Sequence, residues 1–186
     1  WLQPAPANNA WAIAIRKDVA GPRQLKTMED FGRWVASGGK VKLAASAEFV
    51  ERPDALPALQ AAYGFKLRQD QLVILAGGDT AVTIKAAAEQ TSDVNAAMAY
   101  GTDGPLAALD LVVLEDTKGV QPVYAPAPVI RSETLSRQPT IASLLAPVMR
   151  SLDGPTLQHL NAQILLDGQD ARTVAEKFLR SRGLIR

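Results

Sequence analysis

The sequence predicts an α/β fold, and three observations carry that prediction. Apolar runs of strand length alternate with helical patterns over residues 11–99. Glycine, proline and small polar residues punctuate the joins between them. An apolar strand then runs into Tyr100-Gly-Thr-Asp-Gly104, and beyond it the rhythm changes to one more strand, a proline-spaced stretch and a helical tail. Residues 95–104 therefore read as a pivot. An aromatic ring at the pivot of a two-lobed protein, here Tyr100, faces the cleft in which such proteins hold a ligand.

The elements follow in order. Trp1-Leu-Gln-Pro-Ala-Pro6 is a proline-spaced linker that feeds directly into an apolar strand over 11–15, an opening that leads us to expect further chain upstream. Thr27-Met-Glu-Asp30 resembles a capping box with Asp in the place of Glu or Gln; Phe31, Trp34 and Val35 follow at helical spacing, which makes Trp34 a core residue, and Gly38-Gly39 stop the helix. A buried strand over 41–45 leads through Ser46-Ala-Glu-Phe-Val-Glu-Arg-Pro-Asp54 to a helix over 55–63. The carboxyl end of such a strand is where open α/β sheets place ligand-binding groups. A strand over 72–76, a Gly77-Gly-Asp-Thr80 turn, a helix over 81–90 and a strand over 94–99 complete the first half. Beyond the pivot come a strand over 111–114 and the segment Gln121-Pro-Val-Tyr-Ala-Pro-Ala-Pro128, too rich in proline for a central strand. A brief pairing at 129–130 is expected next, then helices over 132–137, 141–152, 156–165 and 171–181.

Composition excludes several functions. A net charge of +1 with both signs interspersed leaves no footprint for nucleic acid or for an anionic membrane. The absence of cysteine removes disulfides, thiolate catalysis and cysteine metal sites, and a single histidine, His159, argues against a His metal cluster or a Ser-His triad. No run approaches the roughly 18 apolar residues of a membrane-spanning helix. We expect no cofactor and no metal. The remaining motifs read plainly: the Gly77–Thr80 stretch lacks the Lys-Ser/Thr of a phosphate loop and reads as a tight turn with a helix cap. Glu115 and Asp116 are adjacent on an extended chain, point in opposite directions and make a poor acid/base pair. His159 has no accompanying nucleophile and reads as a surface or interface residue.

The aromatic residues say more, because there are only three Trp, three Tyr and four Phe. Trp11 opens the first strand, Tyr100 closes the last strand before the pivot and Tyr124 lies on the proline-bounded segment. Rings brought together attract quaternary ammonium groups through their quadrupoles, by about 0.5 kcal/mol when exposed and about 2 when desolvated. Simple packing, with the tyrosine hydroxyls hydrogen-bonded, accounts for the same rings. Arg52, extended because Pro53 follows it, suits a bidentate pair with a ligand carboxylate, as it also suits plain solvation.

These residues resemble a known family. Asn8-Asn-Ala-Trp-Ala-Ile-Ala-Ile-Arg-Lys17, Glu48-Phe-Val-Glu-Arg-Pro-Asp54, Tyr63-Gly-Phe65, Ala99-Tyr-Gly-Thr-Asp-Gly104, Leu111-Val-Val-Leu-Glu-Asp116 and Pro122-Val-Tyr-Ala-Pro-Ala-Pro-Val-Ile-Arg131 occur in the order found in the osmoprotectant-binding proteins of ABC importers, the periplasmic or lipid-anchored receptors for glycine betaine, choline and carnitine. The resemblance covers nearly the whole chain. It implies a type II periplasmic-binding fold, with two α/β lobes joined by two crossing strands and the ligand between them. It implies no enzyme activity, a quaternary amine as ligand, a membrane permease as partner and a place outside the cytoplasmic membrane. Residue by residue, Trp11 stands where a cage aromatic, usually Tyr, occurs; Tyr100 and Tyr124 match further cage tyrosines; Arg52 matches the arginine that binds a betaine carboxylate. Asn9, near a position that is acidic in some members, and Thr102 complete the expected contacts.

The resemblance also implies about a hundred residues before Trp1, half a lobe of ordinary size. On that expectation residues 1–11 are a linker and hinge entry, 12–99 a complete second lobe, and 100–186 the return hinge and the carboxyl-terminal part of the first lobe. Apolar faces left open by a missing half-lobe would need cover, by a second copy of the chain, by exchange of the tail after Ser132, or by repacking of that tail on the second lobe. Two other functions fit the same architecture: an enzyme using Asp103 or Glu115 as a base, and the ligand-sensing domain of a transcriptional regulator.

Overall fold

The computed structural model describes residues 1–186. Its strands are β1 (Trp11–Arg16), β2 (Leu43–Ser46), β3 (Leu72–Leu75), β4 (Ala96–Tyr100) and β5 (Leu111–Val113). Its helices are α1 (Lys17–Arg23), α2 (Met28–Ala36), α3 (Ala47–Glu51), α4 (Leu56–Tyr63), α5 (Thr80–Ala88), α6 (Pro105–Ala108), α7 (Ser132–Arg137), α8 (Thr140–Arg150), α9 (Gly154–Leu165) and α10 (Ala171–Ser181). The strands form one sheet in the order β3-β2-β4-β1-β5. β2 runs parallel to β3 and β4, and β1 is antiparallel to both its neighbours.

Helices cover both faces of the sheet, which is why its central strands are apolar throughout rather than alternating. On one face Ile13, Ile15, Leu43 and Met98 meet Phe31, Phe49, Leu56 and Leu59. On the other, the small residues Ala14, Ala44, Ala97 and Ala99 let α5 approach with Ile84 and Ala87. The buried Thr83 hydroxyl donates to the Met98 carbonyl at 2.6 Å, fixing α5 on β4. The capping box at α2 is present: the Thr27 hydroxyl accepts from the Asp30 N–H, and the Asp30 carboxylate accepts from the backbone of Lys26 and Thr27. Those bonds, the one from Lys26 foremost, hold the Asp30 carboxyl below its ordinary range. Asp79 caps α5 through the Ala81 N–H, so the Gly77–Thr80 stretch is the capped turn that its composition indicates.

The chain does not leave the sheet at Tyr100. The turn after β4 leads into α6 and then β5, which pairs with β1 on the side opposite β4. A three-residue strand whose partner lies almost a hundred residues earlier carries no local mark of that pairing. The chain leaves the sheet layer after Leu114. Residues 2–9 and 124–128 then run side by side and antiparallel: Leu2 N–H donates to the Pro128 carbonyl (3.0 Å), Ala5 to Pro126 (2.8 Å) and Asn9 to Tyr124 (3.0 Å). No strand forms at 129–130: the pairing with residues 2–9 ends at Pro128.

The tail from Ser132 is helical as its periodicity predicts, and it is anchored in cis. A Cβ on Gly104 would collide with the backbone of Asn161 and Ala162, so only glycine lets α9 lie this close to the start of α6. Gln158 and Asn161 donate from α9 to the carbonyls of Gly101 and Thr102 at 2.9 and 2.8 Å. His159 is exposed, and its Nε2 shares a hydrogen bond with Gln163 one turn away. Apolar side chains such as Leu144 and Leu165 stay exposed on the tail. No helix is long and apolar enough to cross a membrane.

Candidate functional site

The site forms at the edge where β2 and β4 end and where β1, running the other way, begins. Trp11 and Tyr100 are direct cross-strand partners, so their side chains leave the same face of the sheet. The rings stack with centroids 6.4 Å apart and planes 18° from parallel. Phe49, wholly buried, meets Trp11 edge-on at 5.7 Å and 80°. The indole N–H of Trp11 is buried without a hydrogen-bond partner, so the ring is held by its contacts with other rings and with Arg52.

α3 supplies the next wall. The Ser46 hydroxyl caps it by accepting from the Phe49 N–H at 3.2 Å, and Pro53 ends it. Within that turn Phe49 points into the core, whereas Glu48 and Arg52, four residues apart, share the outer face. The Arg52 guanidinium lies 5.3 Å above the Trp11 ring. It donates through Nε to Asp54 at 2.6 Å and through Nη1 to Glu48 at 3.2 Å. These bonds, the Asp54 pair first, raise its pKa above the ordinary arginine value.

The third wall is the proline-rich segment. Asn8 Oδ1 accepts from both the Ala10 N–H (3.1 Å) and the Tyr124 N–H (2.8 Å), tying the entry of β1 to Tyr124. A Cβ on Gly101 would strike the Asn8 carbonyl, so glycine is required for the β4 turn to reach this point. The result is a cavity of about 430 Å3 lined by Asn9, Trp11, Glu48, Arg52, Tyr100 and Tyr124. A slightly larger one, about 480 Å3, is lined by 46–48 and 74–78. It has no aromatic wall, and Glu48 is its only charged residue.

Five of the six residues expected from the sequence thus meet around one cavity. Thr102 does not reach it: buried behind, its hydroxyl donates to Asn9 Oδ1 at 2.5 Å and orients that side chain. Glu48 lines the cavity unexpectedly, and its place four residues before Arg52 is the one signal that points to it. The two carboxylates of the enzyme reading lie elsewhere. Glu115 is exposed and its backbone bonds the loop before α2. Asp103 is turned inward, accepting from the Tyr100 N–H at 2.7 Å.

Burial raises the Asp103 pKa, against the lowering effect of its bonds. A carboxyl raised in the folded state contributes stability that is complete at low pH and lost as pH rises through the folded value. Asp103→Asn keeps the acceptor and removes the charge. The variant is therefore expected to match or exceed the parent at neutral pH, and to lose that advantage below about pH 4. Urea unfolding across this range measures it; an advantage independent of pH would assign the effect to packing.

Residues 1–181 match the model of the substrate-binding domain of ABC-type glycine betaine transport systems, OpuAC. The chain belongs to this family. It is 62% identical over 183 residues to the glycine betaine-binding protein YehZ of Escherichia coli K12, covering 98% of this chain and 60% of that protein. It is 31% identical over 191 residues to a glycine-betaine-binding protein of Pseudomonas aeruginosa, covering 100% of this chain and 60% of the relative. The chain thus spans about three fifths of the length of these two relatives. The structure of apo YehZ superposes with a TM-score of 0.92 at 62% identity, over 100% of this chain and 66% of that one. A glycine betaine/carnitine/choline ABC transporter structure superposes with a TM-score of 0.83 at 24% identity, over 98% of this chain and 64% of that one, which is a likeness of fold.

The fold is therefore the mixed α/β fold of OpuAC-type periplasmic-binding proteins, the class expected from the sequence. The match to YehZ extends through the tail, so the helices after Ser132 keep that relative's arrangement and are not repacked.

Proposed function

We propose that this chain is the greater part of the solute receptor of an ABC importer, and that it holds a quaternary amine such as glycine betaine. The rings of Trp11, Tyr100 and Tyr124 receive the ammonium, and Arg52 receives the carboxylate. The observation that carries the reading is the convergence of these four side chains, with Asn9, on one cavity. Family membership supports it, as do the names of its relatives. The sheet unit forms one wall of an inter-lobe cleft, and residues 2–9 and 122–128 are the crossing strands. A receptor of this kind works outside the cytoplasmic membrane and delivers its solute to a membrane permease, without catalysis.

The rings are the part to test. Tyr100→Ala and Tyr124→Ala are each expected to weaken betaine binding by about 1 to 2 kcal/mol, and the Phe variants by less, because a ring face remains. Tyr124, 57% exposed, should give the smaller loss unless closure of the cleft desolvates it. Titration calorimetry on the four variants reads this directly. Equal losses for Phe and Ala would transfer the contact from ring to hydroxyl, and no loss in any variant would remove the cavity from the binding function.

A further inference from the structure

The cavity is held together from behind by a residue that does not line it. Gln121 is buried and stands at the root of the proline-rich segment, three residues before Tyr124. Its backbone N–H donates to the Asp116 carboxylate at 2.8 Å. The other oxygen of that carboxylate accepts from the hydroxyl of Tyr63, a buried residue at the end of α4. The Gln121 side-chain amide reaches the other way and donates to the Asp54 carbonyl at 2.9 Å. Asp54 grips Arg52 through Nε and Nη2. One buried side chain thus joins the loop that carries the cationic group of the cavity to the segment that carries one of its rings.

We propose that Gln121 is a positioning residue that sets Arg52 against Tyr124 and so selects for solutes bearing a carboxylate as well as a quaternary ammonium. The inference rests on the betaine reading above. The chemistry is direct. Arg52 gains a ligand carboxylate only if its loop stays in register with the aromatic walls, and a bidentate pair tolerates little displacement. Ring contacts are non-directional by comparison, so an ammonium without a carboxylate depends on Gln121 far less.

Gln121→Met keeps the length and apolar volume and removes the donor. Betaine binding is expected to weaken by about fivefold or more, and choline binding by less than about twofold. An equal loss for both solutes would reduce Gln121 to a structural role, and an unchanged ratio with unchanged affinities would overturn the proposal. Hydrogen exchange in the absence of solute gives an independent reading: the amides of Arg52 and Ala55, which close the turn on Glu48 and Arg52, should exchange faster in the variant. Unchanged exchange there would show that Gln121 does not hold the loop, whatever the solute. If the parent protein binds neither solute, the betaine reading fails, while the exchange measurement still decides whether Gln121 fixes the arginine loop.

Discussion

Phe49→Ala is expected to lower the free energy of unfolding by about 3 to 5 kcal/mol, the range for emptying a fully buried aromatic position. Phe49 has no exposure, and it touches Trp11 edge-on beneath the cavity floor. The loss should therefore appear twice, as a lower denaturant midpoint and as a changed near-ultraviolet signal from Trp11, whose ring loses its support. Phe49→Leu refills much of the volume and should recover most of the midpoint without restoring the edge contact. Full stability in Phe49→Ala would mean that α3 collapses onto the sheet without it.

Arg52→Ala is expected to weaken glycine betaine roughly ten- to a hundredfold while changing choline little, since choline offers no carboxylate. The midpoint of unfolding should barely move, because Arg52 and its two acidic partners are half exposed and surface pairs of this kind add little to stability. That separation of binding from folding is the useful signature. Glu48→Gln is the companion experiment: a carboxylate that competes for the guanidinium is removed, so betaine should bind at least as tightly as in the parent. Competition between the two solutes reads both variants, and an unchanged betaine-to-choline ratio in Arg52→Ala would take Arg52 out of the site.

The sheet and most helices were legible because their signals are local. Trp11-Ala-Ile-Ala-Ile15 and Ala96-Ala-Met-Ala99 are apolar runs that can only be buried strands or buried helices, and Thr27 with Asp30 marks a helix start by chemistry alone. Elements of one or two turns were not: α1, α3 and α6 are too short to show a period. β5 was visible as a strand, but its partner β1, almost a hundred residues earlier, was not. At the site, the scarcity of aromatics made Trp11, Tyr100 and Tyr124 conspicuous. Glu48 and Asn8 were inconspicuous, because their roles depend on a five-residue helix and on a side-chain bond across more than a hundred residues. Thr102 illustrates the same point in reverse: it was expected at the ligand and is found one layer behind, aligning Asn9.

The paired segments 2–9 and 124–128 hold together on few backbone bonds, and their prolines explain how that suffices. Pro4, Pro6, Pro122, Pro126 and Pro128 have φ already fixed, and each confines the residue before it to extended geometry. These positions surrender little conformational entropy on ordering, where a free residue surrenders about 1 to 2 kcal/mol. The same restriction makes them stiff. Proline leaves Leu2 and Ala7–Ala10 unrestricted on one segment, and Val123 and Tyr124 on the other. The positions of the pair nearest the cavity that proline leaves unrestricted are therefore those beside Asn9 and Tyr124, two of the residues that line it.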